Sequence, residues 1–160
     1  MKICVIGGGG AIGGYLAARL ARAGNQVTVV ARGKTLEAIQ KNGITLFMED
    51  EPRPIVARVT AVEKIRDAGT PDVVILAVKA HQIEPIVDDL ASIVGPETVV
   101  IPMQNGIPWW YFQNLPGPFE DLPVETVDAG GQIMKKINPR NVIGCVVYPA
   151  TYAESPGVID

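Results

Sequence analysis

Apolar residues along this chain recur with two periods, one of strands and one of helices. Lys2 to Ile6 is a β-branched run that predicts a buried strand, and beyond a glycine tract Ile12, Tyr15, Leu16, Leu20 and Ala23 return at helical spacing. Gly24-Asn25 supplies a helix stop, and Val27 to Val30 predicts a second strand parallel to the first. Leu36 to Gln40 reads as a short helix ended by Asn42-Gly43. The extended runs Ile44 to Met48 and Ile55 to Val59 predict a hairpin-like pair around an acidic, proline-bearing surface loop. A short helix is expected around Val62 to Arg66.

Asp72 to Val78 is the most continuous apolar run, as a central parallel strand covered on both faces requires. From Gln82 the positions Ile83, Ile86, Val87, Leu90 and Val94 make one helical stripe with Pro85 in its first turn, and Thr98 to Ile101 predicts the next strand. The pattern then loosens. Trp109-Trp110-Tyr111-Phe112 precedes Pro116-Gly117-Pro118, a block that fits a pocket lid, a contact with another domain, or aromatic packing under an irregular loop. A helical stretch over Val127 to Ile137 and a last central strand over Val142 to Tyr148 are expected after it. The alternation predicts an α/β fold: a doubly wound, mainly parallel sheet with helices on both faces, as one domain over residues 1–160.

The glycine tract Gly7 to Gly14 sits where the first strand meets the first helix. Gly8, Gly10 and Gly13 fit the spacing G-x-G-x-x-G, which in a Rossmann-type unit supplies a tight turn, a close backbone approach to a pyrophosphate, and close helix packing. The unpaired N–H groups and dipole of the following helix favour an anion there. Past the second strand, where NAD sites carry an acidic residue for the ribose 2′-hydroxyl, this chain has Ala31-Arg32-Gly33-Lys34. A guanidinium with no competing carboxylate favours NADP(H), by charge-assisted hydrogen bonds of ~1.5–3 kcal/mol or roughly tenfold to a hundredfold in affinity.

Composition narrows the partners. A net charge of −3 without basic clusters argues against nucleic acid, and no apolar run reaches the length of a membrane span, so a cytoplasmic protein is expected. Cys4 and Cys145 read as small buried hydrophobes, no metal site is expected, and His81 is the single histidine, just past a strand end. Lys79 and Asn105 each follow the carboxyl end of a predicted strand, the edge of an open α/β sheet where ligands bind.

Taken in order, the glycine turn, Arg32, Val78-Lys79-Ala80-His81-Gln82, Gln104-Asn105-Gly106 and Gly144 to Ala150 resemble the N-terminal domain of ketopantoate reductases, the 2-dehydropantoate 2-reductases. The resemblance implies NADPH-dependent reduction of a 2-oxo acid, ketopantoate, to pantoate on the route to pantothenate and coenzyme A. It implies that Gly8, Gly9, Gly10, Ala11, Ile12 and Gly13 hold the pyrophosphate and Arg32 the 2′-phosphate. By the same resemblance Lys79 and Gln82 line the cofactor cleft, Asn105 lies between nicotinamide and substrate, and Ala150 meets the cofactor through its backbone. One glycine more than the family's usual turn is a departure. The family's general-acid lysine belongs to a second, helical domain expected to be missing here, which would leave this piece able to bind NADPH but not to turn over substrate. A homodimer is a further expectation, through the exposed aromatic block. Two other readings share the cofactor domain: a reductase of another 2-oxo acid, and a non-catalytic NADP(H)-sensing module.

Overall fold

The computed structural model describes all residues from Met1 to Asp160. Strand β1 (Lys2–Ile6) leads through the glycine turn into helix α1 (Ala11–Arg22), and β2 (Gln26–Val30) returns beside β1 in parallel register, Lys2 against Gln26 and Ile6 against Val30. Helix α2 (Gly33–Asn42) is longer than its apolar pattern suggests and ends at Gly43, whose φ of +80° reverses the chain. The short strands β3 (Ile44–Leu46) and β4 (Ile55–Ala57) then pair antiparallel as expected.

Residues 60–62 correct the expected helix at Val62. They form β5 (Thr60–Val62), parallel to β2, and only a single 3₁₀ turn over Ile65–Ala68 follows. Three residues are too few to display a period, and the open edge of β2 decides their conformation. After β6 (Val73–Leu76) the helix expected from Gln82 begins as two 3₁₀ turns, Ala80–Gln82 and Glu84–Ile86, so that α3 (Val87–Ile93) is short. Pro85 explains the delay, because it has no N–H to donate to a helical carbonyl one turn earlier.

With β7 (Val99–Pro102) the main sheet is complete, all parallel, in the order β5-β2-β1-β6-β7. The chain winds outward from β1 through β2 to β5, then crosses back to β6 and β7. That reversal beside β1 opens a crevice at the carboxyl ends of the central strands. Alternation along β1 splits the core: Ile3 and Val5 join the cluster with α1, while Cys4 and Ile6 join the opposite one with α3 and Trp109.

Beyond β7 two expectations fail. Residues 127–137 form turns and one 3₁₀ turn (Ala129–Gly131) because Gly130 and Gly131 adopt φ of +61° and +64°, outside any right-handed helix. Residues 142–148 form no strand; they run beside β7 with isolated parallel bridges at Val100–Val142 and Met103–Cys145. Nothing pairs with their outer edge in the sheet, and Ile143, Val146 and Tyr148 are exposed. The sequence reading had no strand for the end of the chain, where β8 (Ala153–Ser155) and β9 (Val158–Ile159) complete a second sheet, β4-β3-β9-β8, over α1. A Cβ on Gly14 would stand 2.8 Å from Ile159 Cγ1, so that glycine lets the helix lie close to this sheet.

Candidate functional site

The glycine turn crosses the carboxyl end of β1. Gly7 carries the left-handed conformation, φ +83°, one residue before the Gly8 expected to take the turn; the chain must bend as soon as it leaves Ile6. Gly7 also passes close to β6, where a Cβ would lie 2.5 Å from Ala77 O. Gly8 packs against β2, where a Cβ would lie 2.6 Å from Val29 Cβ, and Gly13 abuts the turn, where a Cβ would lie only 2.3 Å from Gly7 O. Gly10 is different. It is the residue before α1, and a Cβ there would meet nothing closer than Gly7 O at 3.3 Å, so its outer face is open to an approaching ligand. No acidic side chain occupies the first turn of α1.

A cleft of about 620 Å³ opens above this turn. Gly9 and Gly10 lie at its base, Ala31, Arg32 and Thr35 form the wall from β2 and α2, and Val78, His81, Gln82, Pro85 and Ile86 form the wall after β6. No carboxylate lines it. Arg32 caps α2 in extended conformation, φ −134°, and takes part in none of the three salt bridges, so its guanidinium is available at the rim. Gln82 braces the opposite wall: its Oε1 accepts from Lys79 N at 2.9 Å while its own backbone N donates to Lys79 O at 2.8 Å.

A second opening of about 350 Å³ adjoins the first through Val78 and is lined by Ile12, Lys79, Met103, Gln104 and Asn105. Gln104 Nε2 donates to Val78 O at 3.0 Å and ties the ends of β6 and β7 together. Asn105 engages Val147 twice, Nδ2 donating to its carbonyl at 3.0 Å and Oδ1 accepting from its N–H at 2.9 Å.

The structure therefore brings Gly9, Gly10, Arg32 and Gln82 into one cleft, and Ile12, Lys79 and Asn105 into the adjoining opening. Gly8 and Gly13 are buried behind the turn, Ala11 starts α1, and Ala150 lies exposed and lines neither space. Sequence reasoning missed Thr35, Ile65, Pro85, Ile86 and Gln104. Thr35 stands one helical turn after Arg32, a spacing that could have found it; Ile86 had been assigned to a buried stripe. Burial pushes the Cys4 thiol up to about 12, so it is inert at neutral pH, and no set of three or more His, Cys, Asp or Glu gathers to hold a metal.

The family model for ketopantoate reductase PanE/ApbA matches residues 3–109, the stretch that builds both walls of the cleft. The chain belongs to that family. It is a family of NAD(P)H-dependent reductases, and the matched stretch belongs to its nucleotide-binding domain. The chain is 49% identical over 160 residues to the 2-dehydropantoate 2-reductase of Mesorhizobium japonicum, covering 99% of this chain and 48% of the relative. Among solved structures, a candidate ketopantoate reductase from Ralstonia solanacearum matches with a TM-score of 0.88 and 42% identity, over 99% of this chain and 48% of the other. The 2-dehydropantoate 2-reductase of Porphyromonas gingivalis matches with a TM-score of 0.74 and 27% identity, over 99% and 50%. The chain thus spans about half the length of these ketopantoate reductase relatives. No helix is long and apolar enough to cross a membrane.

Proposed function

We propose that this chain is the NADP(H)-binding part of a cytoplasmic 2-dehydropantoate 2-reductase, which reduces the 2-oxo acid ketopantoate to pantoate. The observation that carries the cofactor choice is the cleft itself, whose lining brings Arg32 together with Gly9 and Gly10 and includes no carboxylate. The open face of Gly10 and the unpaired N–H groups at the start of α1 fit a pyrophosphate, and Arg32 fits a 2′-phosphate bidentately. Residues 1–160 act as one nucleotide-binding domain, and the proton donor and remaining substrate-binding groups come from a further, helical domain.

When bound, the reduced nicotinamide supplies a hydride to the substrate carbonyl. The residues of this chain orient and enclose. Gln82 and Lys79 hold the wall after β6, and Ile12 and Val78 form an apolar floor that keeps water from the reacting face. The Asn105 amide has two N–H groups and spends one on Val147 O, which leaves one to donate toward a developing oxyanion. Ala150 contributes backbone only.

Calorimetric titration tests this reading. NADPH is expected to bind at least about tenfold tighter than NADH, and Arg32→Ala to erase the difference. Equal affinity for both nucleotides in the unmodified chain would remove the NADP(H) assignment.

A further inference from the structure

Two residues of the cleft lining can carry positive charge, one on each wall. Arg32 stands on the wall from β2 and α2 and is charged at every working pH, whereas His81, the chain's single histidine, stands on the wall after β6. An imidazole exchanges its proton between pH 5 and 8, so the second wall gains or loses a charge where the first cannot. The neighbours of His81 fix its place. Gln82 and Lys79 clamp the 3₁₀ turn Ala80–Gln82, Oε1 accepting from Lys79 N at 2.9 Å and Gln82 N donating to Lys79 O at 2.8 Å, and Ile83 is fully buried just after it. His81 is left exposed on that anchored turn, lining the cleft.

No carboxylate of the protein claims this imidazole. His81 takes part in none of the three salt bridges, and no acidic side chain lines the cleft. Among charged side chains on the surrounding elements, Lys34 and Glu37 of α2, Arg66 and Asp67 after β5, and Lys79 and Glu84 after β6 all stand outside the lining. Arg66 is already paired with Asp89. The first N–H groups of α1, with no acidic residue in that turn, add partial positive charge at the base. The lining therefore offers an imidazolium no counter-ion until an anion enters.

We propose that His81 is a second, titrating cation of the nucleotide site: protonated, it strengthens binding of a phosphate-bearing nucleotide, so that cofactor affinity rises as the pH falls through the imidazole range. That the nucleotide is NADP(H) rests on the reading above; the response of His81 to a phosphate group does not. Linkage sets the sign. An anion that favours the protonated imidazole takes up a proton on binding, so its affinity rises toward acid and its presence moves the titration of His81 to higher pH by the same factor. Water screens an exposed imidazolium, which limits the gain to about threefold to tenfold.

The test uses the full 160-residue chain and oxidised NADP⁺, which is stable in acid. Calorimetry compares the unmodified chain with His81→Asn at about pH 6 and about pH 8. The 2′-phosphate also titrates in this range, but does so alike for both chains. The ratio of the acid to the alkaline affinity is expected to be about threefold to tenfold larger in the unmodified chain. With one histidine in the chain, its Hε1 resonance can also be followed by NMR without further assignment. Saturating NADP⁺, and inorganic pyrophosphate at constant ionic strength, are each expected to move the midpoint of that titration upward. Equal affinity ratios in the two chains, or a midpoint that neither ligand moves, would overturn the proposal. A loss in His81→Asn that is the same at both pH values would show a packing role and overturn it too. If NADP⁺ does not bind while pyrophosphate still raises the midpoint, the dinucleotide reading fails and the titrating cation stands.

Discussion

Residues 2–102 and 103–150 are held together by different means. In the first stretch five parallel strands satisfy one another's backbone groups in register. In the second stretch local turns satisfy part of the backbone, and side chains reach across to satisfy groups that no ladder serves. Asp128, fully buried, accepts from Ile133 N at 2.7 Å and Met134 N at 3.0 Å; Asn141 Nδ2 donates to Thr98 O at 2.8 Å and Pro96 O at 3.0 Å; Asn105 holds Val147. A buried backbone group must find a partner, and where no ladder passes, short Asn and Asp side chains are the cheapest substitute. The apolar surface differs as well: Ile107, Tyr111, Phe119, Ile143, Val146 and Tyr148 are all exposed, whereas β1 buries every residue from Ile3 to Ile6.

The largest effect is expected from overfilling the first region. Gly13→Val places a side chain against backbone, with Gly7 O 2.3 Å from the new Cβ, and neither element can retreat without breaking the turn. A loss of about 3 kcal/mol or more in urea unfolding is expected, together with loss of NADPH binding. A stable Gly13→Val chain would mean that the turn is less rigid than its close contacts require.

The two cysteines test burial in the two regions. Cys4 titrates at about 12 in the folded chain against 9.0 in the absence of burial, so the unfolded thiol releases its proton first. Its contribution is therefore whole below pH ~9 and is lost as the pH rises toward ~12, by at most about 4 kcal/mol. Urea unfolding of the unmodified chain and Cys4→Ala across pH 8–11 is expected to show a steeper alkaline fall in the unmodified chain, with the two lines converging. A thiol reagent at neutral pH is expected to label the half-buried Cys145 and to reach Cys4 only on unfolding. Parallel lines across that pH range would show that Cys4 is hydrated in solution.

A smaller effect is expected in the second region. Asp128→Ala strands two backbone N–H groups and is expected to destabilise by about 2 kcal/mol, with exchange quickening at Ile133 and Met134 while β1 stays protected. Equal loss of protection in β1 would show that the two regions unfold as one unit and dissolve the contrast between them.

The same contrast explains what could be read from the sequence. The βαβ start, β6, β7, the glycine turn and Arg32 were legible because each rests on local chemistry: β-branched runs, helical spacing, glycine at a positive φ, a cation where NAD sites carry an acid. The strand at Thr60–Val62 was missed because three residues carry no period and the edge of β2 decides them. The helix over 127–137 was misread because its apolar spacing is real, with Ile133 and Ile137 buried, but Gly130 and Gly131 bend the chain so that turns present the same residues to the core. Residues 142–148 have the composition of a strand yet lie on an edge where only isolated bridges form.

By itself the sequence determined that an α/β fold forms, where its glycine turn lies, and which charge follows β2, since these depend on neighbours a few residues apart. Only the tertiary structure decided the second sheet over α1, the walls of the cleft contributed by Thr35, Pro85 and Ile86, and the Asn105 contact to Val147. Each of those joins residues through a strand edge or a crossover, and the partner for an open edge or an unspent amide is chosen by where the packed core brings the chain back, which no local pattern encodes.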